Sequence, residues 1–252
     1  MSISSSWTLA SALRSDRLVY RHINNTPEDK DFLFETLMAD STIQAMAGRD
    51  MIHPASRKSV DELMNDLEKW CLFSAFICLP PPAVAPEDVT AGQIAGTVTA
   101  AGANNGEGNG IGDGDGDGSS KGAKADAAPT PIGFISMSTD MRPLRMHIRD
   151  CEVGISLVGP QQNKGYGSEA INWALDWAFR SANMRRVSIV CFGYNERAEY
   201  LYKKLGFVEE GRKRARVYHN LKWYDEINLG MLRKEWKELR GVAEGEGDSS
   251  KD

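Results

Sequence analysis

Residues 151–170 read CEVGISLVGPQQNKGYGSEA, and this stretch carries most of the information about the fold of the chain. Its first part has the composition of a strand, residues 162–167 (QNKGYG) form a turn, and a helix is expected to begin at about Ser168. Glycines at such a turn let the backbone approach a ligand closely, and the N–H groups at the positive end of the helix attract anions. The turn therefore predicts a pyrophosphate site for a phosphorylated cofactor. The alternative is a glycine-rich turn that binds nothing.

Two nucleotide-binding patterns compete for the same turn. Gly165-x-Gly167-x-x-Ala170 formally matches the dinucleotide fingerprint, but the next predicted strand, residues 187–192, has no acidic residue that could bind a ribose. The P-loop pattern, with its lysine directly after the second glycine, does not occur at this turn. A nucleotide-binding α/β oxidoreductase is therefore the weaker alternative.

The remainder of the chain divides into segments with the periodicity of strands or helices. Strand patterns occupy residues 17–23, 73–79, 131–138, 151–158, 187–192, 217–219 and 223–232. Helix patterns occupy residues 27–39, 56–71, 168–181 and 197–205. The resulting order, β-α-α-β-β-β-α-β-α-β-β, predicts a mixed α/β domain.

The composition indicates one folded body with flexible attachments. Of the 252 residues, 41% are hydrophobic and 26% are charged, which fits a domain with a sizeable core. Residues 102–128 are rich in glycine and aspartate, and we expect a disordered insert between two strands. Residues 1–14 and the acidic tail, residues 243–252, are also expected to be flexible, so that residues 15–242 form a single domain. The insert and the tail each carry a net charge of −3 within a total of −5, so the body is close to neutral.

Several classes of protein do not fit this sequence. It contains no run of 18 apolar residues, and residues 1–14 lack the basic start and the long apolar stretch of a secretory signal. We therefore expect a soluble, cytoplasmic protein. The acidic charge balance argues against nucleic acid or a membrane as a partner.

The cysteines and histidines do not have the spacing of a metal site. Buried free thiols are expected at Cys71, Cys78, Cys151 and Cys191, since they form no CxxC pair. Residues 113–118 begin like a calcium-binding loop, but Lys124 stands where a bidentate glutamate is required. No metal is predicted.

Three motifs resemble the GNAT superfamily of N-acetyltransferases. Residues 162–167 (QNKGYG), which follow a strand, are similar to its Q/R-x-x-G-x-G/A acetyl-CoA signature. Residues 195–198 (NERA) follow the next strand as the family's Asn-x-x-Ala does, and residues 202–207 (YKKLGF) match its Tyr-x-x-x-Gly-Phe. Residues 207–225 are similar to the ribosomal-protein and spermidine acetyltransferase branch.

The resemblance implies a GNAT fold, with a central mixed, mostly antiparallel β-sheet flanked by helices. It also implies direct transfer of an acetyl group from acetyl-CoA to a primary amine, without a metal or a covalent intermediate. The amine would belong to a polyamine, a protein N-terminus or another small molecule, and the branch suggests a homodimer. The alternative within the same fold is a catalytically degenerate protein that binds CoA or a partner protein.

The resemblance also implies roles for particular residues. Backbone amides of residues 163–168 would hold the pyrophosphate, and the strand end at Leu157 and Val158 would pair with the pantetheine arm and polarise the thioester carbonyl. The full set of expected cofactor contacts is Leu157, Val158, Gln162, Asn163, Lys164, Gly165, Tyr166, Gly167, Ser168, Asn195, Arg197 and Tyr202.

Two residues are the candidates for acid–base chemistry. Tyr202 occupies the family's usual position for the general acid that protonates the leaving thiolate, and a phenol keeps its proton at neutral pH. Glu152 is the candidate base for the amine, because it shares one strand face with the small residues Gly154 and Ser156. Asp150 and Glu35 are weaker candidates for the base.

Overall fold

The structure is a computed structural model that describes residues 12–47, 54–81, 128–139 and 147–242. The chain divides into two units, and nearly all of the described residues belong to the larger one, which consists of residues 1–80 and 129–252. Residues 1–11, the acidic tail and the predicted insert except Ala128 lie outside the described residues. The predictions of flexibility for these segments therefore stay predictions.

Within the described part of the chain, seven strands form one sheet in the order β1-β2-β3-β4-β5-β7-β6. Neighbouring strands are antiparallel except β4 and β5, which are parallel. The predicted mixed, mostly antiparallel sheet is thus confirmed. The strands are β1 (Val19–His22), β2 (Cys71–Leu79), β3 (Thr130–Ser138), β4 (Asp150–Leu157), β5 (Arg186–Phe192), β6 (Val208–His219) and β7 (Lys222–Leu232).

Helices flank the sheet. Thr26 caps the first of them, and a π-helical turn over Leu33–Met38 continues it. A short 3₁₀ turn, Gly159–Gln161, follows β4. The α-helices are α1 (Pro27–Phe32), α2 (Ser41–Ala47), α3 (Arg57–Trp70), α4 (Tyr166–Arg180), α5 (Glu196–Lys204) and α6 (Arg233–Arg240).

The predicted pattern misses two helices and most of strand β6, for identifiable reasons. Helix α2 has only seven residues, too few for a clear period, and α6 is mostly charged and buries only Trp236 among its side chains. Strand β6 begins at Val208 rather than at residue 217, because its first half is almost entirely exposed. Pairing with β7, rather than burial of one face, defines this edge strand.

Each face of the sheet has its own apolar cluster. Helices α4 and α6 cover one face, where Ile171, Leu175 and Trp236 pack with inward side chains of β4 and β5 such as Val153 and Ile189. On the other face, α1, the π-helical turn and α3 cover the end of the sheet near β2 and bury a second cluster. None of the helices among the described residues is long and apolar enough to span a bilayer.

Four charged side chains hold the end of α5 against β6. Lys203 Nζ lies 2.7 Å from Glu199 Oε1 and 3.0 Å from Glu209 Oε2, and Arg212 lies 2.6 Å from Glu199 and 2.7 Å from Glu209. Hydrogen bonds first from Arg212 and then from Lys203 lower the pKa of Glu209 from 4.5 to about 2. The folded protein therefore favours the carboxylate form of Glu209. As the pH falls, Glu209 binds a proton at a higher pH in the unfolded chain than in the folded protein.

This network predicts a loss of stability in acid. The free energy of unfolding should fall as the pH decreases from 4.5 to about 2, the interval between the ordinary and the lowered pKa of Glu209. Because these groups contact water, the contribution should be small and should shrink in concentrated salt. Urea unfolding of the wild type and Glu209→Gln across this interval measures it. Identical pH dependence of the two proteins would contradict the account.

Candidate active site

A cleft opens where β4 and β5 separate. The parallel register of the two strands ends with Val153 opposite Ile189, although β4 continues to Leu157 and β5 to Phe192. A cavity of about 540 Å³ lies at this opening, between the beginnings of α4 and α5. It is lined by nine of the predicted cofactor residues: Leu157, Gln162, Asn163, Gly165, Gly167, Ser168, Asn195, Arg197 and Tyr202.

The beginning of α4 presents backbone N–H groups to this cavity. Gly165 precedes the helix with φ of 84°, a left-handed conformation, and no side chain caps the helix at that position. The first N–H groups of an α-helix have no partner inside the helix, and they carry the positive end of its dipole. Helix α4 begins at Tyr166, two residues earlier than predicted, and its start has the properties of an anion site.

Arg17, which lies outside the cavity lining, stabilises the turn before α4 by hydrogen bonds. Its Nε and backbone N donate to the carboxylate of Glu169 at 2.8 and 2.7 Å, and its NH1 donates to the carbonyl of Lys164 at 3.1 Å. The same guanidinium lies over the ring of Tyr166, 4.8 Å from the centroid. Lys164 and Tyr166, two of the predicted cofactor residues, therefore support the turn and do not line the cavity.

The end of β4 corrects one detail of the prediction. The Val158 N–H donates to the carbonyl of Ile132 at 2.9 Å, so this group is bonded within the sheet and cannot polarise a thioester. Since backbone groups alternate between the two sides of a strand, those of Ile155 and Leu157 face the cleft. The Leu157 carbonyl accepts from Gln162 Nε2 at 2.9 Å, which fixes the side chain of Gln162 beside the strand end.

Asn195 and Arg197 connect the walls of the cleft. Asn195 is nearly buried, and its Oδ1 accepts from the N–H of Ala198 at 3.2 Å, so it caps α5. Arg197 NH1 donates to Asn163 Oδ1 at 3.4 Å, across the mouth of the cavity. Both residues line the cavity, and Asn195 also has a structural role as a cap.

Tyr202 lies at the inner wall of the cavity. Only 8% of the residue is exposed, and its ring packs at 6.2 Å from that of Phe207. Burial raises the pKa of the Tyr202 phenol well above its ordinary value, the Cys191 thiol acts in the same direction, and Arg197 opposes them. The phenol therefore keeps its proton at neutral pH, as a general acid must.

The structure does not bring Glu152 to the same cavity as Tyr202. Glu152 lines a smaller one of about 260 Å³, together with Asp150 and the hydroxyl groups of Ser138, Thr139 and Ser188. It shares a strand face with Ser156, which lines the larger cavity, but four residues of strand separate the two side chains by roughly 13 Å. Glu35 is exposed on the π-helical turn. The identity of the base stays a prediction.

Sequence reasoning missed the opposite wall of the cavity. Helix α2 contributes Thr42, Ile43 and Met46, and the loop before α5 contributes Tyr194. The sequence offers no periodic signal for a helix of seven residues, and Tyr194 belongs to none of the three motifs. Among the described residues, no group of three or more His, Cys, Asp or Glu side chains is placed to hold a metal ion.

The two glycines of the turn should respond differently to substitution. Gly165→Ala forces a side chain into a left-handed conformation at φ of 84°, and its Cβ would lie 3.1 Å from Arg17. We expect a loss of about 1 kcal/mol or more in the free energy of unfolding. Gly167→Ala meets only ordinary contacts at 3.7 Å and should change stability little. Thermal unfolding of both variants measures the difference, and equal losses would contradict this assignment.

Comparison with known proteins identifies the family. Residues 17–208 match the model of the acetyltransferase (GNAT) domain, which is most of the chain. The protein therefore belongs to the GNAT acetyltransferase family, as the three motifs indicated.

Individual relatives match over shorter segments. The chain is 32% identical over 85 residues to the uncharacterized N-acetyltransferase YnaD of Bacillus subtilis (strain 168), covering 34% of this chain and 50% of that protein. It is 30% identical over 88 residues to a spermidine N(1)-acetyltransferase of Vibrio cholerae, covering 35% of this chain and 51% of that protein. The chain thus spans about half the length of the curated relatives it matches.

Solved structures show the same fold over a longer range. The spermidine N-acetyltransferase from Vibrio cholerae in complex with CoA and spermine superimposes with a TM-score of 0.58 at 18% identity, covering 88% of this chain and 99% of that one. A GNAT-family acetyltransferase from Bacillus anthracis gives 0.56 at 15% identity, covering 88% and 98%. At such low identity these similarities define the fold alone.

Proposed function

We propose that the protein is an acetyl-CoA-dependent N-acetyltransferase that transfers an acetyl group directly to a primary amine. One observation carries this proposal: the N-terminus of α4 and the buried phenol of Tyr202 line a single cavity where β4 and β5 separate. An anion site and a proton donor on one cleft suit a thioester donor that carries phosphates. Membership of the GNAT family supports the same chemistry.

The cleft has groups suited to each part of the cofactor. The N–H groups at the start of α4, preceded by Gly165, would bind the pyrophosphate, with Arg197 at the cavity mouth. The backbone of Ile155 and Leu157, past the last pair with β5, would bind the pantetheine arm in the manner of an added strand. An N–H of this segment would also polarise the thioester carbonyl.

The reaction needs two proton transfers. A neutral amine attacks the thioester carbonyl, the new C–N bond forms, and the C–S bond breaks as the tetrahedral intermediate collapses. Tyr202 would give its proton to the departing thiolate and regain one from solvent. The amine would lose its proton to a base reached directly or through water, and Glu152 is our candidate for it.

Two of the relatives bear on the class of acceptor. A polyamine, a protein N-terminus or another small amine fits the proposal, and the relatives include a protein named spermidine N(1)-acetyltransferase and one named putative ribosomal N-acetyltransferase. The homodimer suggested by the resemblance and the cytoplasmic location expected from the sequence stay predictions as well.

A panel of acceptors tests the proposal. The whole protein is incubated with acetyl-CoA and with polyamines, amino sugars, amino acids or N-terminal peptides, and release of the CoA thiol is measured together with the mass of the amine. We expect at least one amine to gain an acetyl group in step with CoA release. Binding of acetyl-CoA without transfer to any amine would favour the catalytically degenerate alternative.

A further inference from the structure

Helix α2 is a short helix that needs support from elsewhere in the chain. It has seven residues, Ser41–Ala47, and helices of this length are unstable by themselves in water. Its first turn has a local cap, because Asp40 Oδ1 accepts from the N–H groups of Thr42 at 2.8 Å and Ile43 at 3.2 Å. The last carbonyls of a helix also lack partners within it. Donors for these carbonyls can come from side chains elsewhere in the fold.

Two consecutive residues supply these donors from 149 positions away in the sequence. The Tyr194 hydroxyl donates to the carbonyl of Ala45, and Asn195 Nδ2 donates to the carbonyl of Met46 at 3.3 Å. Asn195 also caps α5 through Ala198, so its loss would disturb two helices. Tyr194 offers the more selective test, since its hydroxyl bonds only to α2 among the described residues.

The ring of Tyr194 is held so that its hydroxyl points at α2. It stacks on His219 with ring centroids 4.5 Å apart, and it meets the ring of Tyr224 edge-on at 5.2 Å. Phe192 packs against it at 5.5 Å on a further side. The β6–β7 hairpin and the end of β5 therefore fix the orientation of this side chain before any ligand binds.

The position of α2 matters because it forms one wall of the proposed active-site cavity. Ile43 and Met46, three positions apart on one helix face, line it opposite the beginning of α4. We propose that Tyr194 is a positioning residue for the acceptor amine. It acts indirectly, by holding α2 in place as a wall of the cavity. This inference rests on the proposed function. The pyrophosphate would bind at α4, which Tyr194 does not support, so loss of its hydroxyl should affect the amine more than acetyl-CoA.

Tyr194→Phe tests this directly, because it removes the hydroxyl and keeps the ring contacts. We expect KM for the amine to rise about three- to tenfold, the effect of one lost hydrogen bond, while KM for acetyl-CoA changes less than about twofold. Hydrogen exchange of the amides in residues 41–47 should become faster. Tyr218→Phe is the matched control. Tyr218 lies on the β6–β7 hairpin, is 55% exposed and does not line the cavity.

The outcomes separate this inference from the proposed function. Unchanged amine KM and unchanged exchange of α2 in Tyr194→Phe would overturn the positioning role. Equal increases in both KM values would also overturn it, because they indicate a general disturbance of the cleft. A wild-type protein that acetylates no amine would refute the proposed function instead, while hydrogen exchange would still show whether Tyr194 holds α2.

Discussion

Tyr202→Phe is expected to lower kcat about 100-fold or more while the Kd for acetyl-CoA stays within about threefold of the wild-type value. The substitution removes one oxygen atom and its proton and leaves the ring packed against Phe207. Without that proton, the thiolate must leave unprotonated or take a proton from water. CoA release at saturating amine gives kcat, and calorimetric titration gives the Kd.

Two further measurements define the meaning of this result. Tyr218→Phe removes the same chemical group from an exposed ring outside the cavity and should have wild-type kcat. If the Kd of Tyr202→Phe for acetyl-CoA increased by as large a factor as its kcat decreased, Tyr202 would have a role in binding rather than in proton transfer. Wild-type kcat in that variant would remove Tyr202 from the mechanism.

Gly133→Ala is expected to have the largest effect on stability. Gly133 on β3 lies opposite Leu157 on β4, and a Cβ at this position would overlap the carbonyl oxygen of Ser156 and lie 2.8 Å from Leu157 Cδ2. The obstacle is backbone within a sheet, which cannot rotate away as a side chain can. We expect a loss of about 1–3 kcal/mol or more in the free energy of unfolding, from denaturant titration.

The same substitution should weaken the cofactor site. Ser156 and Leu157 line the cavity, so moving β4 away from β3 shifts the segment proposed to bind the pantetheine arm. Gly211→Ala is the matched control, because Gly211 also lies in a strand and its Cβ would meet nothing within 4 Å. If the Gly133→Ala protein were as stable as the Gly211→Ala protein, β3 and β4 could accommodate a Cβ between them, which would contradict the structure.

The sequence predicted the motif residues that line the cavity better than it predicted the backbone pairing and the helix around them. The turn around Gly165 and the tyrosine at position 202 belong to motifs whose spacing is visible in one chain, and both line the cavity. The role of Val158 could not be judged this way, because it depends on which side of β4 its N–H faces. That is decided by the pairing of Val158 with Ile132, some 26 positions earlier in the chain.

The wall of the cavity that α2 forms was beyond the reach of sequence patterns for a similar reason. Tyr194 and Asn195 donate hydrogen bonds to the last carbonyls of α2, and neither bond produces a periodic pattern in residues 41–47. Strand β6 shows the same limit, since β7 pairs with an exposed, charged segment that has no alternating pattern. Contacts between distant residues stabilise these two elements, and their own residues show no periodic pattern that predicts them.

The most direct test of the central claim is a titration of the whole protein with acetyl-CoA, alongside NADH. A ligand that binds only the native state stabilises it by about 2.7 kcal/mol at a concentration of about 100 times Kd. If the cleft between β4 and β5 is an acetyl-CoA site, acetyl-CoA will raise Tm and release heat on binding, and NADH will do neither. No change in Tm with saturating acetyl-CoA, or a response to NADH alone, would contradict the account.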